Sequence, residues 1–320
     1  MVVYNSQITR VDAGALIPEE VSREIIQGTA AQSAVLSLGR RLQNMPRAQT
    51  RMPVLSALPT AYFVTGDTGL KQTAEQAWSN KYLDAEEIAC IVPIPESVLD
   101  DADYDIWAEV KPRLMEAFGI VIDGAAFWST NKPSSWPDAI ITDATSAGNV
   151  VAFGTGTDLY DDLLAEDGVF SKVEDDGFMV TGCAAHMTMK AKLRGLRDTN
   201  GVPIFMRSMQ ERTRYELDGS PIVFPENGGF DSSQGLLVAG DFRQLVYAFR
   251  QDITYKVLTE AVIQDANGAI VYNLAQQDMV ALRAVMRLAW QCPNPINRMQ
   301  PTEGSRYPFA VLTPAAGSGS

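Results

Sequence analysis

Histidine and cysteine, on which many catalytic and metal sites depend, are scarce in this sequence. His186 is the sole histidine, and Cys90, Cys183 and Cys292 are widely spaced with no CxxC pair. This pattern makes a disulfide framework unexpected and predicts three buried thiols in a reducing compartment. Cys183 and His186 could offer two metal ligands from one helix face, but nothing completes a site around them. A satisfied or surface histidine is therefore predicted.

Positive charge is scarce as well. Lysine and arginine number 26 against 39 aspartate and glutamate residues, which gives a net charge of −13 and a pI of about 4.6. Duplex nucleic acid and anionic membranes both attract basic surfaces, so direct binding to either is disfavoured. The sequence has no run of about 18 apolar residues that would span a membrane. The start, MVVYNSQITR, lacks the charged and apolar regions of a signal peptide, and folding in the cytoplasm is expected.

Motifs for nucleotide binding and nucleophilic catalysis are missing. The GxSxG pattern does not occur, and residues 66–71, GDTGLK, have the wrong spacing for a phosphate loop. They predict a polar loop tip instead. Gly154-Thr-Gly156 lacks the third glycine of a dinucleotide fingerprint. The sequence therefore contains no catalytic, cofactor-binding or metal-binding residue that we would assign.

Two acidic clusters remain as candidates for chemistry. The first, between residues 158 and 167, does not fit the EF-hand spacing and predicts a solvated helix face. A metal-dependent enzyme that combines this cluster with His186 stays open as an alternative. The second, between residues 100 and 105, is explained by helix capping, with binding of a divalent cation or of a neighbour's arginines as alternatives. The first cluster comprises Asp158, Asp161, Asp162, Glu166 and Asp167, and the second comprises Asp100, Asp101, Asp103 and Asp105.

The first 35 residues predict an arm rather than a domain. Residues 1–15 have no strong hydrophobic period. From Pro18 an acidic first turn predicts a short helix with a narrow apolar stripe of Val21, Ile25 and Ile26, ending near Gly28. Such a helix is too short to stand alone, so it must lie on another surface.

Residues 52–92 predict a long β-excursion. Two apolar arms flank a polar, glycine-containing tip, and the whole is too long for a tight hairpin. Because it cannot bury itself on its own fold, it is expected to find its partner on another subunit.

A long amphipathic helix follows this excursion. Ser97 and Asp100 have the spacing of a capping box, and apolar residues then recur every three or four positions. Pro112 interrupts the pattern, so a kink or a late helix start is expected there. The predicted buried stripe consists of Trp107, Val110, Leu114, Phe118 and Val121.

From about Ser129 the composition changes to that of a second domain. Helices are predicted within residues 153–170 and 181–201, the latter ending at Asn200-Gly201. A strand-like run follows over residues 235–258, and a closing strand pair with alternating character is expected over 266–293. The tryptophans are predicted core or interface anchors, and they are Trp78, Trp107, Trp128, Trp136 and Trp290.

This order of segments resembles the major capsid proteins of tailed bacteriophages, with the Hong Kong 97-type fold. IPEEVSREIIQ resembles the start of the family's N-terminal arm, and MPVLSALPTAYFVTGDTGLKQ resembles the outgoing strand of its E-loop. IACIVPIPESVLDDADYDIWAEVKPRLMEAFGIVIDGAAFW resembles the returning strand and spine helix. MTMKAKLRGLRDTNGVPIF resembles an A-domain helix and turn, while GDFRQLVYAFRQDITYKVL and MVALRAVMRLAWQCPNPINRM resemble the last strands.

The resemblance implies an α+β capsid fold made of four parts. It implies an N-terminal arm over 1–35, an extended E-loop β-hairpin over 53–85, a P-domain with a long spine helix and an α/β A-domain. The P-domain would take 36–52 and 86–130 with closing strands at 251–291. The A-domain would take 131–250 and a return with the C-terminal tail at 292–320.

The resemblance further implies a structural protein that is not an enzyme. Pentamers and hexamers would form an icosahedral phage head in the bacterial cytoplasm and enclose double-stranded DNA without binding it specifically. The alternative is an encapsulin-type nanocompartment shell. About 15 residues precede the arm, so a separate scaffolding protein, or none, is implied; a separate scaffolding protein is expected, together with a portal and a possible decoration protein.

Some members of the family join the E-loop to the P-domain by an isopeptide bond between lysine and asparagine. Lys71 lies at the predicted loop tip, and Asn267 or Asn273 lies in a late hairpin. Because no sequence feature marks an activating glutamate, a solvated lysine is favoured over the cross-link.

Overall fold

A four-stranded sheet and a six-stranded sheet, bridged by one long helix, carry most of the fold. The computed structural model describes residues 33–64, 69–101, 105–196 and 215–315, so residues 1–32 of the predicted arm (1–35) lie outside it. The helices of the described ranges are α1 (Ala34–Leu38), α2 (Glu96–Asp101), α3 (Ile106–Trp128), α4 (Ile140–Ala147), α5 (Leu159–Leu164), α6 (Val169–Asp175) and α7 (Met187–Gly195).

The strands alternate with these helices along the chain. They are β1 (Arg40–Arg41), β2 (Gln49–Ala57), β3 (Ala77–Asp84), β4 (Glu86–Pro95), β5 (Val150–Ala152), β6 (Gly182–Ala185), β7 (Glu216–Leu217), β8 (Ser220–Val223), β9 (Leu237–Gly240), β10 (Val246–Leu258), β11 (Val262–Gln264), β12 (Ile270–Asn273), β13 (Met279–Gln291) and β14 (Phe309–Thr313). A 3-10 turn occupies Glu303–Ser305.

The long helix α3 begins where its sequence supplies a cap. Asp105 accepts hydrogen bonds from the backbone amides of Trp107 (2.9 Å) and Ala108 (3.2 Å), which satisfies two otherwise unpaired donors. Pro112 lies inside the helix, so the late start expected there is wrong. Ser97 lies within α2 rather than before it, so the predicted capping box is also wrong.

The buried face of α3 differs slightly from the predicted stripe. Leu114 and Phe118 are buried as expected, but the face continues through Ile122 rather than Val121, which is exposed. The reason is that an α-helix has 3.6 residues per turn, so Ile122, four residues after Phe118, lies closer to the same face than Val121, which is three residues after it. This face packs with Leu282, Ala284 and Met286 of β13 in one core cluster.

The four-stranded sheet has the order β1-β10-β13-β4. The thirteen-residue strands β10 and β13 run antiparallel, and β4 pairs along the other edge of β13. A closing pair between residues near 270 and β13 was predicted, but β12 pairs with β11 instead. Because residues of both faces of β13 lie in core clusters, its burial is nearly continuous rather than alternating.

The six-stranded sheet has the order β5-β14-β9-β6-β8-β7 and mixes parallel and antiparallel pairs. The run over 235–258, predicted as one strand-like segment, supplies β9 to this sheet and β10 to the other. The break falls at Asp241, whose carboxylate accepts a hydrogen bond from the amide of Arg243 (3.1 Å). Helix α7 ends at Gly195, ahead of the predicted terminator at Asn200, which lies outside the described residues.

The remaining strands form two hairpins, β2–β3 and β11–β12. Strand β3 is followed by β4 after the single residue Ala85, whose amide bonds the carbonyl of Ala48 (2.8 Å). The chain therefore passes from the β2–β3 hairpin into the four-stranded sheet with almost no loop between them.

Candidate assembly surfaces

The residues predicted as possible chemical sites have structural roles. Cys183 is on β6, whereas His186 is the N-cap of α7 and accepts a hydrogen bond from the amide of Thr188 (3.3 Å). The two are therefore not on one helix face, which corrects that prediction. Burial raises the pKa of the Cys183 thiol well above its usual range, and raises that of Cys292 to about 12. Cys90 is only half-buried, so the prediction of buried thiols holds for two of three.

The acidic cluster near residue 160 stabilises its own loop. Asp158 caps α5 by accepting from the amide of Tyr160 (2.8 Å), and Asp167 pairs with Lys172 (3.0 Å). Asp162 is buried, which corrects the expected solvated face. Its carboxylate accepts hydrogen bonds from the amides of Gly154 and Gly156, both at 2.7 Å. Those glycine amides are thus occupied by the chain's own carboxylate rather than left for a phosphate.

Neither a metal centre nor a membrane helix is found in the part of the chain that the structure describes. No group of three or more His, Cys, Asp or Glu side chains there could hold an ion. None of the helices described is long and apolar enough to cross a membrane. Of the second acidic cluster, Asp105 is the α3 cap and Asp103 lies outside the described residues.

The surface that stands out is the β2–β3 hairpin with the residues beyond its strands. Both strands are largely exposed on both faces, and large apolar side chains point to solvent. Phe63 is fully exposed and Trp78 is 65% exposed. Isolated apolar residues on a surface are ordinary, but this number on one two-stranded segment indicates an interaction surface. We call it the hairpin surface; its members are Tyr62, Phe63, Val64, Leu70, Trp78 and Tyr82.

A second exposed apolar group lies at the far end of the four-stranded sheet. It includes the end of β10 and the β11–β12 hairpin. Asn267 lies in the tip of that hairpin, and Asn273 at its end donates to Gln276 (2.8 Å). The exposed apolar members are Tyr255, Val257, Val262, Ile270, Val271 and Tyr272.

The far half of the β2–β3 hairpin, away from Ala85, is fastened to the segment that follows β13. Arg298 donates to the carbonyl of Pro59 (2.8 Å), and the amide of Ile296 donates to the carbonyl of Leu55 (3.2 Å). Lys81 and Glu303 form an ion pair at 2.9 Å, and Lys81 lowers the pKa of the Glu303 carboxyl. These three contacts fix the direction in which the hairpin leaves the body.

A buried carboxylate that the sequence did not reveal joins three parts of the chain. Asp123 of α3 accepts hydrogen bonds from Ser33 Oγ (2.5 Å), the amides of Ala34 (3.0 Å) and Val35 (3.1 Å), and Asn227 Nδ2 (3.1 Å). Burial raises the pKa of the Asp123 carboxyl, although the four donors oppose that shift. The only feature of the sequence that could have indicated this role is the position of Asp123 among the apolar residues of the predicted helix.

These features define a structural subunit that presents large apolar surfaces for association with other copies. The chain belongs to the phage capsid family, whose model matches residues 13–295. It is 27% identical over 273 residues to the major capsid protein of Staphylococcus phage 80alpha, covering 84% of this chain and 79% of that protein.

Similar solved structures support the assignment to the phage capsid family. A chain of Microbacterium phage Oxtober96 superposes with a TM-score of 0.82 and 39% identity, covering 97% of this chain and all of that one. A chain of Mycobacterium phage Adephagia gives a TM-score of 0.82 and 29% identity over 98% of this chain and all of that one. The predicted Hong Kong 97-type capsid fold is confirmed. The protein is a structural component of the virion capsid, and the encapsulin-type alternative is not favoured.

Proposed function

We propose that the chain assembles as pentamers and hexamers into an icosahedral phage head that encloses double-stranded DNA. The observation that carries this proposal is the hairpin surface, whose apolar side chains are left exposed by the chain's own described fold. Burial of such surface on a neighbour supplies the driving force for association. The net charge of −13 supports enclosure of DNA without specific binding. No enzymatic activity is proposed.

The parts of the chain divide this work as follows in our proposal. The β2–β3 hairpin is the E-loop (53–85), and residues 1–35 are the arm that clamps neighbours. The P-domain comprises 36–52, 86–130 and 251–291, which includes α3 as the spine helix. The A-domain, 131–250 and 292–320, would face the capsomer axis. The support is that these ranges broadly follow the hairpin, the long helix and the two sheets, although the boundary at 250/251 falls within β10 and the one at 52/53 within β2.

A separate scaffolding protein, a portal and a possible decoration protein are proposed as partners, supported by membership of the phage capsid family. Electron microscopy of the purified chain, alone and co-expressed with candidate scaffolding proteins, tests the proposal. Closed shells, tubes, or rings of five or six are expected. A folded chain that stays monomeric under every condition would overturn it.

Trp78→Ala is expected to weaken assembly without weakening the fold. A tryptophan buried at an interface typically contributes about 2 kcal/mol or more, so the concentration needed for assembly should rise at least about tenfold. Light scattering and sedimentation measure this threshold. Met179→Ala, which removes an exposed apolar side chain outside the hairpin surface, is the matched control and should leave the threshold unchanged. An unchanged threshold for Trp78→Ala would show that this side chain is not at an interface.

Lys71 is expected to remain a solvated lysine in mature particles. Its side chain is exposed, and Asn273, one of the two candidate partners, already donates to Gln276. Denaturing gels of mature particles should give a single band near 35 kDa. Covalent ladders that disappear in Lys71→Arg would contradict this and establish a cross-link.

A further inference from the structure

An apolar groove of about 580 Å³ lies between α1, α3 and the β10–β13 pair. Met115 of α3 borders it and is 54% exposed, although it is a large apolar side chain. Glu116, one of its few charged residues, is already paired with Arg113 (2.8 Å). The apolar side chains of the groove are Leu36, Pro112, Met115, Phe118, Ile122, Phe249, Ile253 and Met286. Such a groove suits an apolar helix face rather than a charged ligand.

The N-terminal end of the described residues lies at this groove. Ser33 is the first described residue and itself lines the groove. Its hydroxyl, together with the amides of Ala34 and Val35, is held by Asp123, so the point from which residues 1–32 lead away is fixed at the rim. A segment that immediately precedes Ser33 is therefore kept beside the groove by covalent connection.

Residues 17–28 have the dimensions and the pattern to fill it. As a helix they would be about 18 Å long, and α3 covers about 15 Å from Pro112 to Ile122. Their apolar stripe is Val21, Ile25 and Ile26. The four residues 29–32 can span at most about 14 Å, which is enough for the chain to turn back along α3.

We propose that residues 17–28 dock as a short helix into this groove of their own chain before assembly. A tether of four residues gives the segment an effective concentration on the order of millimolar, which favours its own groove over that of a second copy. Docking would cover Met115 and would give the apolar stripe the surface that such a short helix requires. The inference concerns the unassembled chain and does not depend on the proposed function.

Oxidation of Met115 by hydrogen peroxide, followed by mass spectrometry of the unassembled full chain, tests the docking. Met115 is expected to oxidise at least about fivefold more slowly in the native sequence than in the triple variant Val21→Ser, Ile25→Ser, Ile26→Ser. Met179, which is 73% exposed and does not line the groove, should oxidise equally in both. Equal rates at Met115 would overturn the proposal.

A cross-linking pair provides a second measurement that does not depend on a destabilised variant. In a Cys90→Ser background, Ile25→Cys with Met115→Cys should form a disulfide within one chain at every protein concentration. Glu20→Cys with Met115→Cys is the control, because Glu20 lies on the opposite side of the predicted helix and should not cross-link. A disulfide between two chains, or one that disappears on dilution, would assign the groove to a second copy and overturn docking within the chain. Protection of Met115 only on addition of a scaffolding protein would likewise overturn it.

Discussion

Replacement of Asp123 by alanine is expected to lower the free energy of unfolding by about 3–5 kcal/mol. The carboxylate accepts four hydrogen bonds, two at each oxygen, from Ser33, from two amides of α1 and from Asn227. Each buried donor left without an acceptor costs about 1–3 kcal/mol, and the backbone amides of Ala34 and Val35 cannot turn to other partners. Asn227 cannot simply rotate its amide, since its oxygen already accepts from Gly229 (3.0 Å).

Urea unfolding of the unassembled chain measures this loss. Asp105→Ala, which removes an exposed helix cap, is the control and should cost only about 1 kcal/mol. Asp123→Asn should be nearly as damaging as Asp123→Ala, because an amide offers one acceptor oxygen where two are used. A loss below about 1 kcal/mol for either Asp123 variant would show that the junction does not hold α1 on α3.

The raised pKa of Asp123 gives this prediction a pH dependence. The folded chain binds a proton at this carboxyl at higher pH than the unfolded chain does, so folding is favoured by protonation. The associated stabilisation is fully present below the unfolded pKa near 3.8 and is lost as the pH rises through the folded pKa. The difference in unfolding free energy between native chain and Asp123→Ala should therefore grow as the pH falls from 7 toward 4.

Trp290→Ala is expected to lower the free energy of unfolding by about 3–5 kcal/mol, the usual cost of removing a buried tryptophan side chain. Trp290 is fully buried on β13 and meets Trp136 edge to face, with ring centroids 6.4 Å apart. Its Nε1 finds no hydrogen-bond partner among the described residues. Trp290→Phe, which keeps an aromatic ring and removes that buried donor, should therefore cost clearly less.

The matched control for Trp290 is Trp78, the same residue type on the hairpin surface. Thermal unfolding of unassembled Trp78→Ala should change the free energy of unfolding by no more than about 0.5 kcal/mol. Opposite results for the two tryptophans, one affecting the fold and the other assembly, are the expected pattern. A comparable loss of stability in both would mean that the hairpin surface packs within the monomer.

The sequence predicted those elements that are determined locally. The helix α3, with its acidic start and apolar period, and the long β-excursion around residues 52–92 are both present. The division of the run over 235–258 between two sheets was missed, because both halves are apolar and no proline separates them. Which sheet each half joins is decided by partners such as β14 and β13, which are distant in sequence.

The assembly surfaces were predicted in outline but not in detail. Exposure of Trp78 and burial of Trp290 could not be distinguished by residue type. Asp123 was missed because its partners, Ser33 and Asn227, are 90 and 104 residues away and their meeting depends on tertiary structure. Likewise, the proximity of Asp162 to two glycine amides follows from a turn, not from spacing alone.

Because the single residue Ala85 joins the hairpin to the four-stranded sheet, a small change of backbone angle at this junction changes the direction of the whole hairpin. Strand β3 alone extends about 26 Å from Ala85 at about 3.3 Å per residue. A tilt of about 10° at the base would therefore displace its far end by about 5 Å, close to the spacing between neighbouring strands. The contacts of Leu55, Pro59 and Lys81 with the segment after β13 oppose such a tilt, because Leu55 lies opposite Trp78, toward the far end of the hairpin from Ala85. Loss or rearrangement of these contacts would therefore change where the hairpin meets a neighbouring subunit, and with it the local curvature of the shell.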